Sequence, residues 1–406
     1  MAVNLSEPTE LYNITGANLG VAAAGIRYAN RDDVVVIQFS EQSKTSAVFT
    51  QNTFCAAPVI VAKEHLLLTP PKALLINSGN ANAVTGEQGL KDAYESCNIV
   101  AQTLGIKTTE VLPFSTGVIG ENLPMNAMQQ GIEKAINALH SNNWLPAAKA
   151  IMTTDTLPKA VSQKVRINGS EVTITGIAKG SGMICPNMAT MLSYVVTDAC
   201  VSQSVLDELI QQVVDESFNA ISVDGDTSTN DAFVITATQG AENDLIDSIQ
   251  SESGKVLLTA LTEVSRLLAQ AIVRDGEGAT KFVEVNVHGG ITHKDCAEVA
   301  YTVAHSPLVK TALFASDPNW GRLLMAIGRA DVSELDANKV SVKVNDLPIV
   351  TMGQPDVNYT ETKGQAVFNE TELMIDVEIG DSNYSKTVWT TDLSHEYISI
   401  NADYRN

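Results

Sequence analysis

The sequence predicts an α/β chain of the α+β class, folded as a layered sandwich rather than a doubly wound sheet. Three observations carry this. Period-2 apolar runs and 3.6-period stripes are mixed along the chain without strict βαβ alternation. The composition is globular, with 44% hydrophobic and 18% charged residues and 26 glycines. No repeat, low-complexity tract or charged linker interrupts the 406 residues, a length that suits two or three domains.

The elements follow in order. Val34–Phe39, Ser46–Thr50, Pro58–Ala62 and Lys72–Asn77 read as short strands between turn residues. Leu90–Leu104 and Pro124–Leu139 have helical spacing. Gln163–Ile167 and Ser170–Ile177 flank Asn168-Gly169, a strong hairpin signal. A glycine-bearing loop from Lys179 to Ala189 then leads into an expected strand, Thr190–Thr197. Val205, Leu206, Leu209, Ile210, Val213 and Val214 form one helical stripe, with Asp207, Glu208, Asp215 and Glu216 off it. Val256–Val273 reads as a second long helix, Phe282–His288 as a strand and Asp295–Phe314 as a third helix. Val340–Val344, Leu373–Ile379 and Tyr384–Thr390 close the chain as strands. A helical lobe is expected within residues 240–340.

Charge and cysteine usage exclude several functions. The formal net charge is −21, so the long-range field repels nucleic-acid backbones and anionic membranes. The start, Met1 to Pro8, has neither a basic nor an apolar signal region, and no apolar run reaches the roughly 18 residues of a membrane span. Five scattered cysteines without a CxxC argue against a disulfide framework or a zinc site. A cytoplasmic protein is expected.

Several catalytic motifs fail. Ser181 has Lys179 and Met183 where the outer glycines of a nucleophile elbow should stand. Gly276–Lys281 has the wrong spacing for a phosphate loop. Asp224–Asp231 lacks the glycine and glutamate of a calcium loop, leaving a tight Asx-rich turn or a supporting role near a site. The informative stretch is Lys179–Leu192, KGSGMICPNMATML. A hydroxyl residue, Thr190, follows small Ala189 where a loop meets a strand. That pairing suits self-cleavage by an N-to-O acyl shift, after which the new α-amine serves as base for its own hydroxyl. On spacing alone, ordinary packing is the commoner reason for Ala189-Thr190 before a strand.

The same block closely resembles the self-cleavage site of the ornithine acetyltransferase family, the glutamate N-acetyltransferases of arginine biosynthesis. Further blocks fall in the family's order: Pro113–Gly120, Ile151–Thr156, Ser222–Asp231, Arg274–Lys281, Ser316–Arg322 and the terminal Asn401–Asn406. The resemblance spans essentially the whole chain. It implies an αββα-type sandwich like that of the D-aminopeptidase and ornithine acetyltransferase fold. It also implies cleavage at Ala189–Thr190 into fragments 1–189 and 190–406, assembled as an α2β2 heterotetramer.

The implied activity is transfer of acetyl from N2-acetyl-L-ornithine to L-glutamate through an ester on Thr190, with no metal or organic cofactor. Some family members also take acetyl from acetyl-coenzyme A. By the same resemblance Thr190 is the nucleophile, and Thr116 and Gly117 form the oxyanion hole. Thr153, Lys179, Thr190, Glu277, Asn401 and Asn406 contact the amino-acid substrate. Without it, Thr116-Gly117 reads as a turn, and Lys179 and Glu277 as surface charges. The family often ends in Ser or Thr where this chain has Asn406. A self-processing aminopeptidase or amidase, hydrolysing its acyl-enzyme, is the competing reading. A non-catalytic binding or assembly protein with a merely structural loop is a second competitor, and it predicts an uncut chain.

Overall fold

In the computed structural model, which describes residues 2–185 and 191–403, apolar runs of five or six residues become strands because both their faces are covered. The larger of two units comprises Ser6–Asn219 and Asp226–Ile272. Its strands are β1 (Ala17–Ala22), β2 (Val34–Phe39), β3 (Lys44–Phe49), β4 (Ala73–Asn77), β5 (Val111–Ser115), β6 (Lys159–Ile167), β7 (Ser170–Lys179), β8 (Leu192–Thr197) and β9 (Ala232–Ala237). Its helices are α1 (Ala57–Leu68), α2 (Gly86–Leu104), α3 (Met125–Asn137), α4 (Trp144–Ala150) and α5 (Gln203–Asp215). The last, α6 (Glu252–Arg274), runs two residues beyond the unit.

The strands form two sheets. One has the order β1-β2-β4-β5, with β4 and β5 parallel; the other has the order β3-β9-β8-β7-β6, with β8 and β9 parallel. They pack face to face through Ile37, Leu74, Ile76 and Phe114 on one side and Ile177, Leu192, Tyr194 and Val234 on the other. Phe114 meets Tyr194 edge-on, ring centroids 5.2 Å apart. The outer face of the first sheet is covered by α2 and α3, with Cys97, Val100, Met128 and Ile132 against Val34, Val36 and Leu75. The second sheet carries α5 and α6: Gly176 has no room for a Cβ, because Leu268 and Val264 of α6 press on it. Helices, sheet, sheet and helices make the αββα sandwich. α6 is long and apolar enough to cross a membrane by length and composition, but more than half of that window is buried.

The second unit comprises residues 2–5, Ala220–Gly225 and residues 273–403. Its strands are β10 (Phe282–Gly290), β11 (Ser341–Val344), β12 (Leu347–Thr351), β13 (Gln354–Pro355), β14 (Glu372–Glu378) and β15 (Tyr384–Thr391), in the order β13-β12-β11-β14-β10-β15. Its helices are α7 (His293–Ala304), α8 (Pro307–Phe314), α9 (Trp320–Gly328), α10 (Glu361–Phe368) and α11 (His395–Asp403). Val283, Val285, Ile375 and Val388 of the sheet share one core with Val299 and Val303 of α7, Leu313 of α8 and Ile327 of α9. Helices therefore do fill much of residues 240–340, and the unit that holds most of them is built on a sheet.

Two sequence expectations are corrected. Pro58–Ala62 lies inside α1, not in a strand. Pro58 sits in the first helical turn, where its fixed φ and missing N–H cost nothing. The β-branched run Val59-Ile60-Val61 was too short to reveal a period. Asp295–Phe314 is two helices rather than one. Pro307 cannot continue α7, while Ser306 caps α8 by accepting from Val309 N–H. The Asn168-Gly169 hairpin forms as read, with φ of 49° and 87° at its two corner residues.

Candidate active site

The ends of the parallel pair β4 and β5 set the first part of the site. Asn77 and Ser115 are partners in register, and their side chains bond, Ser115 Oγ donating to Asn77 Oδ1 at 2.6 Å. Asn77 Nδ2 in turn donates to Asn80 O, and Thr116 N–H to Asn77 O. Asn230 fastens the two loops together, its amide donating to Ala81 O at 2.6 Å and Ser115 O at 2.9 Å. Gly117 follows at φ 132°, and a Cβ there would lie 2.3 Å from the Gly79 carbonyl carbon. Only glycine allows so close a crossing of two backbones. The Thr116-Gly117 peptide is thus fixed by packing as well as by hydrogen bonds.

Lys179, the last residue of β7, reaches this turn. Its Nζ donates to Thr116 Oγ1 at 3.2 Å, and both residues are buried. Beneath it lies Asp155, which accepts from Lys159 Nζ at 2.6 Å, Gly180 N–H at 2.8 Å and Thr153 N–H at 3.0 Å. Burial alone would raise the Asp155 carboxyl. The Lys159 and Lys179 ammonium groups and these hydrogen bonds win, holding it well below the usual carboxylate range. Asp231 behaves oppositely: burial pushes its carboxyl well up, and Lys179, Met191 N–H and Ser228 offset only part of that.

The structure therefore brings together Thr116, Gly117, Thr153 and Lys179 from the sequence-derived set. It adds Asp155, Lys159, Asp231, Asn77, Asn80 and Asn230, which the sequence reading did not single out. Asp155, Asn230 and Asp231 stood inside blocks already noted, Ile151–Thr156 and Ser222–Asp231. Asn230 decides the reading of the second block: it supports the turn that bears Thr116.

Glu277 and Asn401 meet in the other unit. Asn401 Nδ2 donates to Glu277 Oε2 at 2.7 Å and to Tyr397 O within α11. Gly278, at φ 68°, lets the loop pass against α11, since a Cβ would sit 2.5 Å from Tyr397 N. Ser394 Oγ donates to Gly278 O and ties that crossing. Glu277 is buried, so its carboxylate belongs to a built arrangement rather than to a solvated face. Ala189, Thr190 and Asn406 lie outside the described residues. Among the described residues, no group of three His, Cys, Asp or Glu side chains is placed to hold a metal ion.

The chain is similar to known proteins over its whole length. The family model described as the ArgJ family matches residues 18–406. The chain is 51% identical over 405 residues to the "Arginine biosynthesis bifunctional protein ArgJ" of Pseudomonas syringae pv. tomato, covering the whole of both chains. It is 50% identical over 407 residues to the protein of that name from Psychrobacter arcticus, again over the whole of both. A crystal structure of the Bacillus halodurans protein of that name is similar with a TM-score of 0.51 and 35% identity; the match covers 53% of this chain and 100% of that one. This chain belongs to the ArgJ family.

Proposed function

We propose that the chain is a self-cleaving acyltransferase of arginine biosynthesis that carries acetyl on Thr190 from N2-acetyl-L-ornithine to L-glutamate. The observation that carries this reading is the buried contact between Lys179 Nζ and Thr116 Oγ1 at the mouth of a rigid, glycine-bearing turn. A threonine hydroxyl has one proton to donate. Accepting from an ammonium leaves that proton to point at a developing oxyanion.

The first step is an isomerisation. Thr190 Oγ attacks the Ala189 carbonyl carbon, the C–N bond breaks with its electron pair going to nitrogen, and the hydroxyl proton ends on that nitrogen. The shift leaves the Thr190 α-amine free, and water then hydrolyses the ester, releasing the Ala189 carboxylate and restoring the Thr190 hydroxyl.

In the transfer itself the amine, with an ordinary pKa of about 7.7–8.0, takes the proton from Thr190 Oγ as it attacks the acetyl carbonyl. Thr116 Oγ1–H and Gly117 N–H stabilise the tetrahedral oxyanion, and Lys179 supplies positive charge beside them. Ornithine leaves; glutamate's amine then attacks the ester. Thr153, Lys179, Thr190, Glu277, Asn401 and Asn406 are the residues this reading assigns to the amino-acid substrate, Glu277 suiting ornithine's amine. Acetyl-coenzyme A as a second donor, an α2β2 assembly of the fragments and a cytoplasmic location belong to the same reading.

Denaturing intact mass with N-terminal sequencing tests it, on wild type and on Thr190→Ala. We expect two fragments for wild type, the second beginning Thr-Met-Leu-Ser, and one uncut chain for the variant. A wild-type chain that stays uncut and inactive overturns the mechanism. An acetylated enzyme discharged no faster by glutamate than by buffer would make it a hydrolase.

A further inference from the structure

Glu277 is a buried carboxylate with little to hold it. Among the described residues it forms no ion pair, and the Asn401 amide, donating to Oε2 at 2.7 Å, is its one hydrogen-bond partner. A buried carboxylate without a cation is costly, so the arrangement suits a cationic group that arrives from outside. Such a group is met well only if Glu277 and Asn401 are both held still.

Ser394 does this holding. It immediately precedes α11 and is 4% exposed. Its Oγ accepts from Tyr397 N–H at 3.3 Å, as a helix N-cap does, and donates to Gly278 O at 2.7 Å. A serine hydroxyl has a single proton, and this one is spent on the residue next to Glu277. Spacings of three and seven place Ser394, Tyr397 and Asn401 on one side of α11. The other two grip as well, Tyr397 Oη donating to Asp224 Oδ2 at 3.2 Å and Asn401 to Glu277. Apolar packing adds little. No residue from His395 to Ala402 is buried, and a helix of nine residues is marginal without tertiary contacts. The fit is close: a Cβ on Gly278 would lie 2.6 Å from Ser394 Oγ. Asp392 fixes only the far end of the loop, accepting from Thr280 N–H at 2.9 Å and Lys281 N–H at 3.0 Å.

We propose that Ser394 is a positioning residue that sets Glu277 and Asn401 to receive the cationic end of the amino-acid donor. This rests on the assignment of Glu277 to ornithine's amine and goes one step further. Ser394 acts through Gly278 and α11, not on the substrate. Without its bond to Gly278 O, the first turn of α11 parts from the loop and Asn401 is no longer held opposite Glu277. The loss falls on recognition of the charge and leaves the acyl chemistry alone.

The test compares two donors, N2-acetyl-L-ornithine and N2-acetyl-L-norleucine, which has a methyl where ornithine has its ammonium. In the proposed mechanism kcat/KM for each reports acylation alone, because glutamate enters after the first product leaves. Wild type should favour the charged donor. Ser394→Ala should shrink that preference about tenfold, through KM for acetylornithine, with the norleucine donor nearly unchanged. Ser394→Gly separates the bond from the cap: glycine caps nearly as well as serine, alanine does not, and neither can donate to Gly278 O. Both variants should therefore lose the preference alike. A glycine variant that keeps it shows that capping alone matters and overturns the proposal. An equal loss for both donors in either variant overturns it too, and leaves Glu277 as assigned. Should Ser394→Ala fail to fold, Ser394→Gly decides in the same terms; should neither fold, Ser394 serves folding and the proposal falls. A wild type indifferent to the ammonium overturns the assignment of Glu277, and this inference with it. A wild type without transfer activity overturns the proposed function as a whole.

Discussion

The Thr116 hydroxyl and the Lys179 ammonium are buried together in a protein whose net charge is −21, so the positive charge near the turn is local and deliberate. Removing only the hydroxyl separates its role from that of its neighbour. Thr116→Val keeps the side-chain shape and should lower kcat about 10²–10³-fold, the usual effect of one lost oxyanion donor, with little change in KM. Steady-state transfer kinetics measure it; an unchanged kcat would mean that Lys179 and Gly117 N–H suffice. Thr116, Gly117, Thr153 and Lys179 were legible from the sequence because their blocks resemble a family's. Asp155, Lys159 and Asp231 were not. An acid in a sequence is equally a surface charge, and only the fold shows that Lys159 and Asp155 pair with both side chains fully buried. Their spacing of four misleads as well, since Asp155 precedes β6 and no helix places the pair on one face.

At the scale of elements, punctuation was read correctly at Asn168-Gly169 and missed at Pro307, which separates α7 from α8. Asn168-Gly169 made the β6–β7 hairpin, and the stripe from Val205 to Val214 made α5. Reading failed where an apolar run lacks a period. Val111–Ser115 and Ala232–Ala237 are buried on both faces, so β5 and β9 show no alternation, and the mostly apolar α1 looked like a strand. Two glycines put numbers on what geometry demands. Gly169 has φ 87° with nothing within 4 Å of a would-be Cβ, so Gly169→Ala adds only left-handed strain, about 1–2 kcal/mol. Gly117→Ala adds a backbone clash at 2.3 Å to its positive φ and should cost considerably more. Urea unfolding should rank wild type, Gly169→Ala and Gly117→Ala in that order. Transfer activity should survive the first substitution and be lost in the second. Equal stability of the two variants would show that the Gly79–Gly117 crossing yields easily.

Over the whole molecule, 47 acids against 26 bases make pH the strongest lever on stability. Mild acid first relieves the repulsion among surface carboxylates. Acids held by a partner then reverse the trend. Glu372 is drawn from 4.5 to about 2, foremost by the Arg274 guanidinium, whose two nitrogens meet its two oxygens at 2.8 and 3.0 Å, with Asn4 adding a bond at 2.7 Å. Its folded value lies below its unfolded one, so its contribution is complete above pH 4.5 and disappears as pH falls through about 2. The side chain is 43% exposed, which screens the pair and limits that contribution to about 1 kcal/mol or less. Asp155, buried and likewise lowered, adds to the same acid limb. Glu372→Gln keeps the shape and removes the titration. The stability gap between wild type and this variant, from urea unfolding at a series of pH values, should be constant from pH 7 to about 5. It should narrow steadily below 4.5, because the unfolded wild-type chain takes up a proton there that the folded chain refuses. A gap as wide at pH 3 as at pH 7 would mean that the Arg274 pair holds Glu372 by shape alone and leaves acid stability to Asp155 and the remaining carboxylates.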